Sequence, residues 1–268
     1  GDLVADRRLE MARDYAAGGE PLAAAELVEQ ALERVPGWAA GWFALAEFRE
    51  TAAEHAGDGA LADLRAAAAD AYREALRLDA EDALGAGLRL ARLGATPPPA
   101  APPPAHVREL FDGYADRYEA SLVTALGYRG PELIAGLLDA RAPGRRFRAA
   151  LDLGCGTGLL APVIRPRVDR LDGVDLAPAM IARARAGGLY DTLEVADVVA
   201  AMSARPPASL DLITAGDVFC YLGDLSAVFA ATARVATPGA LFAFTAEAVA
   251  DDEPLGDVVL RDSLRWAH

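Results

Sequence analysis

The sequence predicts a chain in two parts: a helical N-terminal domain, then an α/β domain doubly wound on a mainly parallel sheet. Three observations carry this. Residues 5–93 are rich in alanine and leucine, with charges spaced between apolar positions, which is the pattern of helices. Six prolines then crowd into residues 96–105, where a helix cannot continue and a semi-rigid extended spacer is expected. Beyond them, short apolar strand-like runs alternate with helix-like runs, as in a parallel sheet. The expected domains are therefore 1–95, a linker at 96–105, and 106–268.

Breaks at Gly18-Gly19-Glu20-Pro21, at Pro36-Gly37, around 55–59 and around 79–82 divide the first domain into about five helices joined by short turns. Ala24, Val28, Ala31 and Pro36 fit the second helix and closing turn of a 34-residue unit, with Tyr15 on its first helix. Trp42, Leu45 and Ala46, then Ala68, Tyr72 and Ala75, fit the next unit, which carries about ten extra residues around 55–63. A last helix spans 84–93. These positions resemble tetratricopeptide repeats; an anonymous alanine-rich bundle is the plainer alternative. Either form implies a module for a protein partner or for self-association. The region is acidic, with 18 Asp plus Glu against 10 Arg through residue 95.

The second domain turns on Leu151-Asp152-Leu153-Gly154-Cys155-Gly156-Thr157-Gly158. An apolar run at 147–153 enters this stretch and another at 159–164 leaves it, so a strand, a tight glycine turn and a helix start are expected. Glycine lets the main chain take unusual dihedrals and lets a ligand approach closely, and the N–H groups of the new helix favour an anion. A second apolar run, 171–174, ends in Asp175, which lies 21 residues after Gly154. An acid at about that distance binds ribose hydroxyls in dinucleotide folds. Further strands are expected at 192–195, 210–215 and 240–246, with helices at 178–186 and 225–236 and a turn at Thr237-Pro238-Gly239. Asp152, Asp175, Asp197 and Asp217 then all lie at or beside strand carboxyl ends, where such folds bind ligands.

The spacing Gly-x-Gly-x-Gly after Asp152, followed by Asp175, resembles motif I of the class I S-adenosylmethionine (SAM) dependent methyltransferases. The resemblance implies a Rossmann-like methyltransferase domain with SAM as cofactor. It implies that Asp152, Gly154, Cys155, Gly156 and Gly158 hold the methionine end, that Asp175, Leu176 and Met180 border the ribose, and that Asp197 and Val198 meet the adenine. Phe111, Ala115, Tyr118 and Glu119 precede this motif as in ubiquinone- and biotin-pathway-like methyltransferases, where tyrosines close over SAM. Tyr114 and Tyr118 are accordingly expected as a lid, although Phe111, Tyr114, Ala115 and Tyr118 also share one helical face and would suit a core stripe. Asp217 is expected to be structural or to contact an amine. The resembled fold usually continues with a helix and an antiparallel strand pair after strand five. Only about twenty residues remain here, so the sequence is read as stopping early, with 265–268 opening a substrate-side segment.

Methyl transfer from a sulfonium is an in-line displacement that needs positioning more than a catalytic triad, and none is visible. Tyr221 and His268 are the candidates for a base toward a hydroxyl acceptor. No Asn/Asp-Pro-Pro-Tyr run follows strand four, which lowers the options of amide or adenine nitrogen methylation. Cys155 and Cys220 read as small packing residues, and no cluster has metal-ligand spacing. The net charge of −14 argues against nucleic acid and anionic membrane as partners. The absence of lysine and asparagine reads as codon bias. Two cysteines and no long apolar run point to a reducing, cytoplasmic setting without a membrane span. The chain opens on glycine and is read as trimmed. Two readings compete with an active methyltransferase: a SAM-binding interaction protein without turnover, and a nicotinamide-dependent oxidoreductase, against which the glycine spacing counts.

Overall fold

A computed structural model describes residues 2–115, 127–249 and 258–268, with the backbone alone at 58. It divides into two compact units, Gly1–Pro99 and Ala100–His268.

The first unit is five helices: α1 (Leu3–Ala17), α2 (Pro21–Arg34), α3 (Ala39–Glu54), α4 (Asp58–Leu78) and α5 (Ala86–Arg92). No strand occurs among its described residues. Asp2 caps α1 by accepting from the Val4 and Ala5 N–H groups, and Pro21 starts α2 where a missing N–H costs nothing. The small residues marked in the sequence are where helices meet: Ala24, Val28 and Ala31 of α2, and Ala68, Tyr72 and Ala75 of α4, are all buried. Tyr15 instead points outward, 42% exposed.

A polar cluster locks the last helix of this unit. Glu50 is buried and accepts from the Tyr72 hydroxyl at 2.9 Å, while Arg92 and Arg89 of α5 pair with its carboxylate. Burial, with the Glu50 charge beside it, pushes the Tyr72 phenol up.

The second unit carries a five-stranded parallel sheet in the order β3-β2-β1-β4-β5. The strands are β1 (Phe147–Leu153), β2 (Val168–Asp175), β3 (Thr192–Val195), β4 (Leu210–Ala215) and β5 (Ala236–Phe244). Around it lie α6 (Pro104–Tyr114), α7 (Gly130–Arg141), α8 (Ala161–Ile164), α9 (Pro178–Gly187), α10 (Val198–Ala204) and α11 (Ser226–Val235). Leu151, Leu153, Val174, Ile213 and Phe219 fill one face, and Ile134, Leu138, Phe147, Ile164 and Leu212 the other. Continuous apolar strands of this kind are what a sheet covered on both faces requires. The strand order reverses between β1 and β4, which opens a crevice beyond their carboxyl ends. Two short strands, β6 (Val259–Leu260) and β7 (Trp266–Ala267), form an antiparallel pair.

Three local expectations change. The helix leaving the glycine turn is one turn long rather than spanning 159–164, because Pro162 suits only its first turn and Pro166 follows two residues after its end, and proline cannot donate within a helix. Thr237-Pro238-Gly239 is not a turn before β5 but lies inside it. The register slips between Leu210 and Leu212, and Gly239 takes φ +76°. An edge strand tolerates both the proline and the bulge. The proline stretch is also tied down earlier than expected: the Ala100 carbonyl accepts from the Gly223 and Asp224 N–H groups, and α6 begins at Pro104.

Glu50→Ala would leave Arg92 and Tyr72 without their shared partner inside the helical unit. It should lower that unit's stability by about 3 kcal/mol in a urea titration, as removal of one member of a buried pair does. The sheet unit's own transition should stay in place.

Candidate functional site

The glycine turn leaves β1 at its carboxyl end with Gly154, Gly156 and Gly158 at φ +59°, +53° and +94°. These left-handed dihedrals strain any residue with a side chain. Space repeats the demand at Gly154, where a Cβ would stand 2.5 Å from Val218 Cγ2. The Cys155 N–H donates to the Val174 carbonyl, so the turn is stitched to the neighbouring strand.

Beneath the turn lies Asp152, 1% exposed. Register sets Asp152 opposite Thr214 across β1 and β4, and the Thr214 hydroxyl donates to its Oδ1 at 2.8 Å. The Tyr190 hydroxyl donates to its Oδ2 at 2.7 Å. Burial pushes this carboxyl up to about 6; the two hydroxyl donors oppose that shift and the nearby Asp175 charge adds to it. Asp175 is raised as well, mainly by burial, against the pull of N–H donors from Ala177, Gly156 and Leu176. Its two oxygens accept from Gly156 N and Ala177 N at 2.9 Å each, so the acid at the end of β2 braces the glycine turn directly. Asp197, at the end of β3, caps α10 by accepting from the Val199 and Ala200 N–H groups through Oδ1.

A recess above the turn is lined by Asp152, Gly154, Cys155, Gly156 and Thr157, with Tyr128 and Pro131 opposite. A second cavity, of about 410 Å³, shares Tyr128 with it and is otherwise bordered by Asp217, Thr245, Glu247, Arg265 and neighbours. Tyr128 thus stands between the two spaces. Burial and the charges of Asp217 and Asp152 hold its phenol protonated, well above the ordinary tyrosine range.

The remaining expected residues divide between site and support. Gly158 backs onto Tyr190, which lies 3.2 Å from where its Cβ would be. Leu176 is half-buried beside Asp175. Met180 is buried with Ala115 and Ala177, and Val198 belongs to the sheet core. Cys155 and Cys220 are buried thiols pushed up by burial. Asp217, at φ +60°, accepts from Arg265 Nη2 at 2.6 Å, which places it in the second cavity rather than the recess. Tyr221 stacks on the Arg265 guanidinium at 5.3 Å and meets Phe111 edge-on, and burial raises its phenol. His268 Nε2 lies 3.1 Å from the Phe219 carbonyl, a contact that requires this nitrogen to carry the proton. Tyr114 is half-buried on α6, and Tyr118 falls outside the described residues. Helix α6 is fixed to α9 by Asp112, which accepts from the Ala179 N–H at 2.8 Å.

Four residues of this site escape the sequence reading: Thr214, Tyr190, Tyr128 and Thr157. Thr214 had a signal, being the one hydroxyl within an apolar strand that must pair with β1. Tyr190 had a weaker one: buried Gly173 of β2 must lack a side chain for the ring to pass, since a Cβ there would be 2.9 Å from Tyr190 Cε1.

Residues 151–242 match the family described as a methyltransferase domain. The matched segment holds the glycine turn, Asp175 and Asp197, and the cofactor that such a domain uses is S-adenosylmethionine. Methyltransferase-like protein 27 of Homo sapiens is 35% identical over 105 residues, covering 38% of this chain and 42% of that protein. Malonyl-[acyl-carrier protein] O-methyltransferase of Serratia marcescens is 31% identical over 153 residues, covering 56% of each. A ubiquinone biosynthesis O-methyltransferase of Hahella chejuensis is 33% identical over 108 residues, 38% of this chain and 44% of that one. The solved DhpI–SAH complex is 20% identical with a TM-score of 0.46, over 61% of this chain and 78% of that one. The chain spans about half the length of the curated relatives it matches.

The residues fit that cofactor. The turn offers backbone approach at three left-handed glycines, the recess offers a buried carboxylate, and acids follow at the ends of β2 and β3. Among the described residues no group of His, Cys, Asp and Glu could hold a metal ion.

The raised Asp152 carboxyl gives a pH signature. Ionisation is harder in the folded chain (about 6) than at the ordinary value of 3.8, so the folded state loses stability as pH rises between them. The full cost, about 3 kcal/mol, is reached above pH 6. Asp152→Asn should remove that part of the slope from a pH series of unfolding titrations of the ligand-free chain; an unaltered slope would contradict it.

Proposed function

We propose that the chain is a SAM-dependent methyltransferase that transfers a methyl group to an oxygen or nitrogen nucleophile of a small molecule or protein. The observation that carries this is the row of acids on adjacent parallel strands. Asp152 on β1, Asp175 on β2 and Asp197 after β3 stand side by side at one edge of the sheet, beginning at the glycine turn. A nucleoside with a charged amino-acid tail matches such a row.

The bound cofactor supplies an electrophilic methyl group on a sulfonium. The residues of the chain supply place and surroundings. The glycine turn and Asp152 hold the tail, Asp175 meets the ribose, and Asp197 marks the adenine end. The cavity beyond Tyr128 admits the acceptor. Tyr221 and His268 do not serve as strong bases in this arrangement: the one stays protonated and the other donates its Nε2–H to a carbonyl. Catalysis then rests on orientation, which alone can supply about 7–11 kcal/mol of a barrier. Tyr114 contributes to closing the site from α6.

For the helical unit we propose recruitment of a partner or acceptor protein through tetratricopeptide-like hairpins. Val4, Met11 and Tyr15 support this reading, since they share one outward face of α1 at spacings of seven and four and are each more than two-fifths exposed.

Calorimetric titration should show binding of SAM and of S-adenosylhomocysteine but not of NAD; binding of NAD alone would defeat the proposal. Asp175→Ala should weaken S-adenosylhomocysteine by about 1.5–3 kcal/mol, the range for hydrogen bonds to a charged group.

A further inference from the structure

In an array of stacked helical hairpins the end helix ordinarily turns a polar face to water. Helix α1 does not. Its buried face, Ala5, Leu9 and Ala12, packs into the helical unit. Roughly a quarter-turn round the helix, Val4, Met11 and Tyr15 form a second apolar stripe, and this one faces outward. The two edges of the stripe differ. Arg8, on the edge nearer the core, is engaged with the Gln30 carbonyl of α2. Arg7 and Asp14 lie on the outer edge, two helical turns apart and both exposed, and among the described residues neither joins an ion pair. A base toward the start of a helix and an acid toward its end reverse the order that the helix dipole favours, so helix stability alone does not explain this pair.

The edge is its own complement. The midpoint between Arg7 and Asp14 falls beside Met11, the middle of the apolar stripe. A second α1 turned by a two-fold axis through that point runs antiparallel to the first. In an antiparallel pair, outer edge adjoins outer edge. Arg7 then meets the partner's Asp14, and the same axis brings Asp14 to the partner's Arg7. Met11 meets its own copy on the axis, and Val4 approaches the partner's Tyr15. A parallel pair would instead set outer edge against inner edge, with Arg7 beside the partner's Arg8, and would align the two helix dipoles unfavourably.

We infer that the outward stripe of α1 is a two-fold self-association surface and that a second copy of this chain is its occupant. This names the partner in the recruitment reading of the helical unit above, and it does not depend on the methyl-donor reading. Helix α1 has 15 residues and is about 22 Å long, so one such contact lies at the low end of interface sizes and gives a weak, concentration-dependent dimer.

The test is sedimentation equilibrium of the full chain from micromolar to millimolar concentration, as wild type, Arg7→Asp, Asp14→Arg, the double exchange of both, and Met11→Glu. Wild type should be a weak dimer. Each single charge variant sets like charges at both edge contacts and should dimerise roughly tenfold more weakly. Met11→Glu brings two carboxylates together on the axis and should be monomeric. The double exchange should recover wild-type association. Mixing the two single variants tests the geometry itself. Arg7→Asp carries acids at both edge positions and Asp14→Arg carries arginines at both, so the mixture should form a heterodimer comparable to wild type. All three positions are exposed and both charge changes suit the helix dipole, so melting temperatures should stay close to wild type. The inference is overturned if the charge variants associate as wild type does, or if the mixture associates no better than its components. It is equally overturned if wild type stays monomeric at millimolar concentration, which would leave the stripe to a different protein and the recruitment reading standing without a second copy.

Discussion

The second unit depends on one buried carboxylate. Asp152 is the last residue but one of the central strand of the sheet, under a turn built on left-handed glycines, and it is pinned from both sides. Thr214 reaches it from β4 and Tyr190 from the segment leading into β3. Each bond ties a different part of the sheet to the same atom pair. The carboxylate therefore sets the height of the turn, and burial keeps its surroundings at low dielectric, where its charge acts most strongly on a ligand. Tyr190 does a second task, since its ring fills the space above Gly173 and beside Gly158.

Strand order turns this local arrangement into a site. Because β1 is central and the chain passes from one half of the sheet to the other between β1 and β4, no crossover covers the crevice at that point. The glycine turn faces the crevice on one side, and Asp217 with Arg265 and Glu247 faces it on the other. Tyr128, just ahead of α7, stands where the two halves meet. The helix after the turn is too short to contribute a sizeable dipole, which leaves the main chain of the turn and the acid row as the polar groups at the crevice.

The centre of the sheet was readable because strands buried on both faces must be largely apolar runs, and β1 and β4 start and stop at the residues such runs mark; β3 is an exposed edge strand with the sequence Thr-Leu-Glu-Val. The five N-terminal helices were readable from glycine, proline and aspartate breaks. What failed was local and had causes that lie across the sheet. Pro238 looks like a turn in isolation, and only the edge position of β5 lets it sit in a strand. Asp217, expected to be structural or to contact an amine, pairs with Arg265, 48 positions later, a partner that no local pattern marks. Thr157 was passed over because a threonine among glycines carries no message until the burial of its hydroxyl is known. The acids Asp152, Asp175 and Asp197 could be named because strand ends can be counted; Tyr190, which donates to Asp152, and Tyr128, which lines the recess, could not, because they sit in irregular segments that no periodicity marks.

Charge gives the site a direction as well as a shape. Among the described residues, Asp217 is the one acid of the four that pairs with an arginine, while Asp152 and Asp175 accept from hydroxyl and backbone donors. The chain as a whole is strongly negative, with a net charge of −14, which adds to the charge of these acids. The methyl donor carries a sulfonium charge that its product lacks. On the SAM-dependent reading proposed above, an uncompensated carboxylate in a low-dielectric wall favours the cationic donor over its neutral product. An arginine in place of either uncompensated acid would reverse that preference. This accounts for a row of unpaired acids lying where an ordinary nucleotide site would place cations.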